Sequence, residues 1–209
     1  MSIAHQFLQL AIEKNVLKLG EFTLKSGRIS PYFFNAGLFD DGRSLHLVGD
    51  YLAQTLEQSG IVFDGLFGPA YKGIPLATTL AIAYQQRYGR NLPVTFDRKE
   101  IKDHGEGGQV MGATLKGRIL IVDDVVSAGT SVRHSIELIN QSGAQAVGVA
   151  VLLDRQEKGQ QALSAMQELQ QQFKLKTTAI AGLDDLMAML PDDSGDARRV
   201  ADYRQRYGC

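Results

Sequence analysis

The chain has 209 residues, a length that suits one domain, and its 44% hydrophobic and 22% charged residues exclude global disorder. Lys+Arg is 22 and Asp+Glu is 23, a net charge of -1, so no basic excess drives non-specific nucleic-acid binding. One cysteine, Cys209, excludes a disulfide framework and a zinc ribbon. An amphipathic helix is expected over residues 4 to 19, where Leu8, Ala11, Ile12, Val16 and Leu19 recur at helical spacing before Gly20. Phe22 to Asn35 reads as a β-hairpin turning at Ser26-Gly27, with Pro31 limiting how centrally its second arm sits in a sheet.

From residue 43 the pattern alternates. A helix ends near Gly60, Ile61 to Phe67 reads as a strand, Ile74 to Tyr88 as a helix and Pro93 to Phe96 as a short strand. Ile119 to Val122 is a continuous apolar run, the mark of a strand buried on both faces. Val132 to Gln141 is a helix stopped by Gly143, Ala146 to Leu153 a strand, Gln160 to Phe173 a helix, Thr177 to Ala181 a last strand and Leu183 to Leu190 a short helix. This predicts a doubly wound α/β fold of about five mostly parallel strands, arranged as one domain: a hood over 1–40, the α/β core over 41–182 and a helical tail over 183–209. The apolar stretches, such as Gly143 to Leu153, fall well short of the roughly 20 residues that cross a bilayer. Met1 to Phe7 lacks the basic segment of a secretory signal, so a cytoplasmic protein with no membrane or nucleic-acid partner is expected.

In such sheets ligands bind at the carboxyl ends of the strands. Ile119-Leu-Ile-Val-Asp-Asp-Val-Val-Ser-Ala-Gly-Thr-Ser131 delivers two adjacent acids, Asp123 and Asp124, then a small-residue turn leading into a helix. Free backbone N–H groups of Ser127 to Ser131, the hydroxyls of Thr130 and Ser131, and the helix N-terminus make a phosphate cradle. Neither Gly-Lys-Ser/Thr nor G-x-G-x-x-G is present. Acids beside a phosphate cradle suit a phosphorylated sugar, although a plain capped strand end remains open. Leu66 to Ala77, with Gly68 and Gly73 bracketing a turn and Lys72 inside it, suits a second anion; the alternative is an ordinary turn with a surface lysine. Asp97 to Gly108 interleaves Arg98, Lys99, Lys102 and His104 with four acids and ends in glycines, which suits a mobile lid or a solvated loop.

The segment Ile119 to Ser131 resembles the signature of type I phosphoribosyltransferases. The resemblance implies that 5-phosphoribosyl 1-pyrophosphate lies along Asp123 to Ser131. Its 5′-phosphate would sit on the amides of Ala128, Gly129, Thr130 and Ser131, and its ribose hydroxyls on Asp123 and Asp124, with Val125, Val126 and Ser127 in the same loop. It implies that Tyr71 and Lys72 meet the pyrophosphate in a loop with a non-proline cis peptide between Ala70 and Tyr71. The Arg-Lys-x-x-Lys-x-His pattern is similar to the lid of orotate phosphoribosyltransferases. It implies that Arg98, Lys99, Lys102 and His104 contact pyrophosphate, with the 98–108 loop acting in trans across a homodimer.

Lys25-Ser-Gly-Arg-x-Ser-Pro-Tyr-Phe-Phe-Asn35 looks like the hood of the same enzymes, which implies orotate as acceptor. Phe33 and Phe34 would pack on the base and Arg155 would hold its carboxylate, with Ser127 nearby and Lys25 between base and α-phosphate. On residues alone, Phe33 and Phe34 read equally as core and Arg155 as surface. The implied catalytic set is Lys25, Lys102, His104 and Asp124. The implied cofactor is Mg2+, held mainly by substrate and water, since no metal-ligand cluster is spaced along the chain. A different base, or a non-catalytic regulator with the same fold, stays as the alternative. Residues after 183 show no readable chemistry.

Overall fold

The computed structural model describes residues 1–24, 27–102, 108–127, 129–158, 163–191 and 193–209. Helix α1 (Ile3–Glu13) is capped by the Ser2 hydroxyl, which accepts the His5 N–H. It stops earlier than its apolar spacing predicts, because Asn15 takes a left-handed conformation at φ 57°. Strand β1 (Leu17–Thr23) then pairs antiparallel with β2 (Ile29–Phe34), so Leu17 and Leu19 belong to a strand and Gly20 lies inside it. Val16 and Leu19 fit a helical stripe and a strand equally well, which is why the spacing misplaced this boundary.

After the hood come α2 (Gly42–Ser59), β3 (Gly65–Gly68), α3 (Gly73–Tyr88), β4 (Val94–Lys102), β5 (Gly108–Gly112), β6 (Arg118–Asp123) and α4 (Thr130–Gln141). They are followed by β7 (Gln145–Asp154), α5 (Ala165–Phe173), β8 (Lys176–Gly182), α6 (Leu183–Met189) and α7 (Gly195–Tyr207). The main sheet has six strands in the order β5-β4-β3-β6-β7-β8. All neighbours are parallel except the edge pair β4 and β5. The mostly parallel α/β sheet is the expected one, with β5 as an added antiparallel edge. Helix α5 starts at Ala165, later than expected, where Ser164 and Gln167 form a capping box.

Strand alternation divides the core into two clusters. Leu120 and Val122 of β6, with Ala150 and Leu152 of β7, pack with Leu52 and Leu56 of α2 and Leu76 and Leu80 of α3. Ile119, Ile121, Val149 and Val151 point the other way, with Val132, Ile136 and Ile139 of α4 and Leu169 of α5. Side chains in a strand alternate faces, so a run apolar at every position demands helices on both sides. The chain moves from β3 outward to β4, then returns to place β6 on the other flank of β3. That reversal opens a crevice between the carboxyl ends of β3 and β6, the place where such sheets bind ligands. Among the described residues no helix is long and apolar enough to cross a membrane.

Candidate active site

The crevice brings the acid pair against the second loop. Asp123 and Asp124 end β6 only 8% and 6% exposed. Asp123 Oδ1 accepts the Asp124 N–H at 2.8 Å, and the Asp124 carbonyl accepts the N–H groups of Leu152 and Leu153 at 3.0 and 3.2 Å. Burial first, and the Asp124 charge second, raise the Asp123 pKa to about 7. Lys72 Nζ lies 2.6 Å from Asp124 Oδ2, so the loops after β3 and β6 meet at an ion pair. The lysine side chain is about half exposed, which makes the pair a weak contributor to the fold and leaves the cation at the crevice mouth.

Beyond the acids, Gly129 precedes α4 at φ 73°, and no side chain caps this helix. An uncapped first turn presents its N–H groups to an anion. Ser127, Thr130 and Ser131 are exposed around it, and Val125 and Val126 are partly buried beneath. Ala128 lies outside the described residues. In the second loop a Cβ on Gly73 would stand 2.5 Å from Pro69 Cδ and 2.7 Å from the Val122 carbonyl oxygen. Only glycine lets this turn lie against β6. The Ala70–Tyr71 peptide is cis, as the resemblance implies.

The segment expected as a lid begins and ends in strand: Asp97 pairs with Val110 and Lys102 with Gly108, and residues 103–107 lie outside the described residues. Gly and mixed charge disguised β5 and the far half of β4, because β5 is an edge strand and needs no apolar run. Arg98, Lys99 and Lys102 stand on β4, and His104 lies outside the described residues. Two contacts tie β4 to the second loop. The buried Asp97 carboxylate accepts the Ala70 N–H, and Lys99 Nζ sits 4.7 Å from the centre of the exposed Tyr71 ring.

The phosphoribosyl transferase domain model matches residues 37–181, which takes in all three loops. The chain is 53% identical to the orotate phosphoribosyltransferase of Cronobacter sakazakii over 206 residues, 97% of each chain, and equally so to that of Thioalkalivibrio sulfidiphilus. The crystal structure of orotate phosphoribosyltransferase from Francisella tularensis superposes with a TM-score of 0.88 at 39% identity, covering 98% of this chain and 100% of that one. The chain belongs to the orotate phosphoribosyltransferase family.

In this member of the orotate phosphoribosyltransferase family the two hood phenylalanines differ in exposure. Phe33 is 41% exposed and stacks on Phe22 at 5.6 Å between ring centres, whereas Phe34 is 8% exposed and packs 6.3 Å from Phe7. Adjacent strand residues face opposite sides. The Phe34 ring is therefore packed in the core, while the Phe33 ring keeps a free face. Arg155 follows β7 and is no surface arginine. Its Nη2 lies 2.6 Å from Glu157 Oε1 and 3.2 Å from Ser30 Oγ, and its guanidinium rests 4.4 Å from the centre of the Tyr32 ring. Lys25 lies outside the described residues. Asp97, Glu157 and Tyr32 went unnoticed in the sequence. Asp97 had a local signal, an acid one residue past a strand end, but Glu157 and Tyr32 meet across 125 positions.

Proposed function

We propose that the chain transfers the phosphoribosyl group of 5-phosphoribosyl 1-pyrophosphate to N1 of orotate, giving orotidine 5′-monophosphate and pyrophosphate in pyrimidine nucleotide synthesis. The observation that carries this reading is the crevice itself, where two buried carboxylates adjoin an uncapped helix N-terminus and one of them, Asp124, lies 2.6 Å from Lys72. The α4 first turn, with the 127–131 segment, takes the 5′-phosphate; Asp123 and Asp124 accept the ribose hydroxyls. Tyr71 and Lys72 meet the diphosphate, joined by Arg98, Lys99 and Lys102 of β4 and by His104. As the anomeric bond breaks, charge grows on the departing diphosphate, and fixed cations there lower the barrier without a protein nucleophile. Lys25, Lys102, His104 and Asp124 are assigned the catalytic roles. Phe33 and Phe34 form the wall against the base, Arg155 faces its carboxylate, and Ser127 borders both.

Among the described residues no group of three or more His, Cys, Asp or Glu side chains is arranged to hold a metal. The paired acids suit Mg2+ carried on substrate oxygens, since this ion keeps its waters and takes at most one or two carboxylates. Asp123 and Asp124 would hold the water shell and hydroxyls around it. When bound, Mg2+ supplies charge neutralisation to the leaving diphosphate. The enzyme is expected to act in the cytoplasm as a homodimer.

Loss of the near-ultraviolet absorbance of orotate on adding the sugar donor and Mg2+ tests the reaction. Uracil, hypoxanthine and adenine serve as parallel acceptors. Orotate alone should be consumed; turnover of another base with orotate inert would refute the assignment.

A further inference from the structure

Past the end of β7 one carboxylate engages three side chains. Glu157 Oε1 lies 2.6 Å from Arg155 Nη2 and 2.9 Å from its Nε, and accepts the Tyr32 hydroxyl of β2 at 3.1 Å. Glu157 Oε2 stands 3.8 Å from Nη1 of Arg28, at the start of the second hairpin arm. The Glu157 and Arg155 side chains are only 12% and 14% exposed. Helix α7 closes over this cluster. Tyr203 meets the buried Tyr32 ring edge-on with centres 6.2 Å apart, and Tyr207 carries the Arg28 guanidinium at 5.0 Å. The chain end is pinned to the same segment: the Lys158 N–H donates to the Tyr207 carbonyl at 2.8 Å, and the Cys209 N–H to that of Gln156 at 3.1 Å.

An arginine on its long stem samples many orientations, and each ordered one costs side-chain entropy. Here Nε and Nη2 are engaged by Glu157 and Ser30 while the guanidinium plane is seated on Tyr32. The group therefore has one orientation before any ligand arrives. A near-buried ion pair adds little net stability, because desolvation offsets the attraction. Orientation is the better account of its presence beside a ligand-binding sheet edge.

We propose that Glu157 is a positioning residue for Arg155, holding its guanidinium in the one orientation that meets the carboxylate of the base. This rests on the reading of Arg155 as the arginine facing that carboxylate.

The test measures KM for orotate and for the sugar donor separately in Glu157→Ala, Glu157→Gln, Arg155→Ala and the Glu157→Ala/Arg155→Ala double variant. Glu157→Ala should raise the orotate KM about tenfold with the donor KM within about twofold, the scale of coupling between contacting residues. Glu157→Gln keeps an acceptor oxygen for Arg155 and should restore most of the loss. In the Arg155→Ala background, Glu157→Ala should add nothing. If Glu157→Ala does not fold, Glu157→Asp, which keeps the charge and shortens the reach, should raise the orotate KM alone. A lowered orotate KM in both Glu157 variants would reduce Glu157 to a charge suppressor and overturn the proposal. So would equal rises in both KM values, or an additive double variant. An unchanged orotate KM in Arg155→Ala removes the reading of Arg155 together with the proposal. A rise there without one in Glu157→Ala removes the positioning role only.

Discussion

Asp123 is placed where its charge is costly. It is buried at the tip of β6, with Asp124 beside it raising its pKa and Lys72 acting weakly in the opposite direction. The folded chain therefore holds its proton up to about pH 7, whereas an unfolded chain releases it near the ordinary aspartate value of about 3.9. Below that value both states are protonated and the group has no effect. As pH rises through the window up to about 7, the unfolded state gains from ionising and the folded state does not, so stability falls; above the window it levels off. Asp123→Asn should flatten this part of the stability profile and melt above the parent at pH 8, the two converging near pH 4. Thermal melts of the ligand-free protein with a chelator, from pH 4 to 8, check this. Parallel curves would show that Asp123 ionises normally. On the proposed reading, the burial that destabilises the ligand-free fold is what holds the acid pair where the ribose hydroxyls bind.

Helix α7 shows what an element contributes when its own composition says little. It buries Val200 and Tyr203, one turn apart, and leaves most of its length polar. The Tyr203 hydroxyl is buried without a hydrogen bond of normal geometry, and burial first, then the nearby Glu157 charge, raises its pKa. Tyr203→Ala should destabilise by about 3–5 kcal/mol, the usual result of emptying a large aromatic site. Tyr203→Phe should be neutral or slightly stabilising, because it removes a buried polar atom that lacks a hydrogen bond of normal geometry. Urea midpoints decide; equal losses would mean that the hydroxyl is the group that matters. The contrast with β6 explains what could be read from residues alone. The run Ile119 to Val122 has only one use in a sheet covered on both faces, and the glycine-bracketed loops after β3 and β6 carry turn chemistry in their local order. The β4–β5 ribbon hides among glycines and charges. The seating of Arg155 depends on Tyr32 and Glu157, 125 positions apart, which no local pattern announces.

At the scale of the whole molecule, the crevice gathers the loops after β3, β6 and β7, while the β4–β5 ribbon extends from the sheet edge with Arg98, Lys99 and Lys102 along it. Large apolar side chains stay exposed on the same half of the sheet, Ile82 on α3 and Met111 on β5, as surfaces that pair between copies tend to be. If the ribbon serves the neighbour's crevice, a site needs Asp124 from one subunit and Lys102 from the other. Lys102→Ala and Asp124→Asn each spoil both sites of their own homodimer. After subunit exchange of an equimolar mixture, half the dimers are hybrids. In each hybrid one site pairs the intact acid with the intact lysine, and the other lacks both. Orotate consumption should then recover to about a quarter of the parent rate, a value set by two-fold symmetry and random pairing. Activity no higher than the mean of the two variants would place Lys102 in its own subunit's crevice, and the ribbon would then close each site in cis.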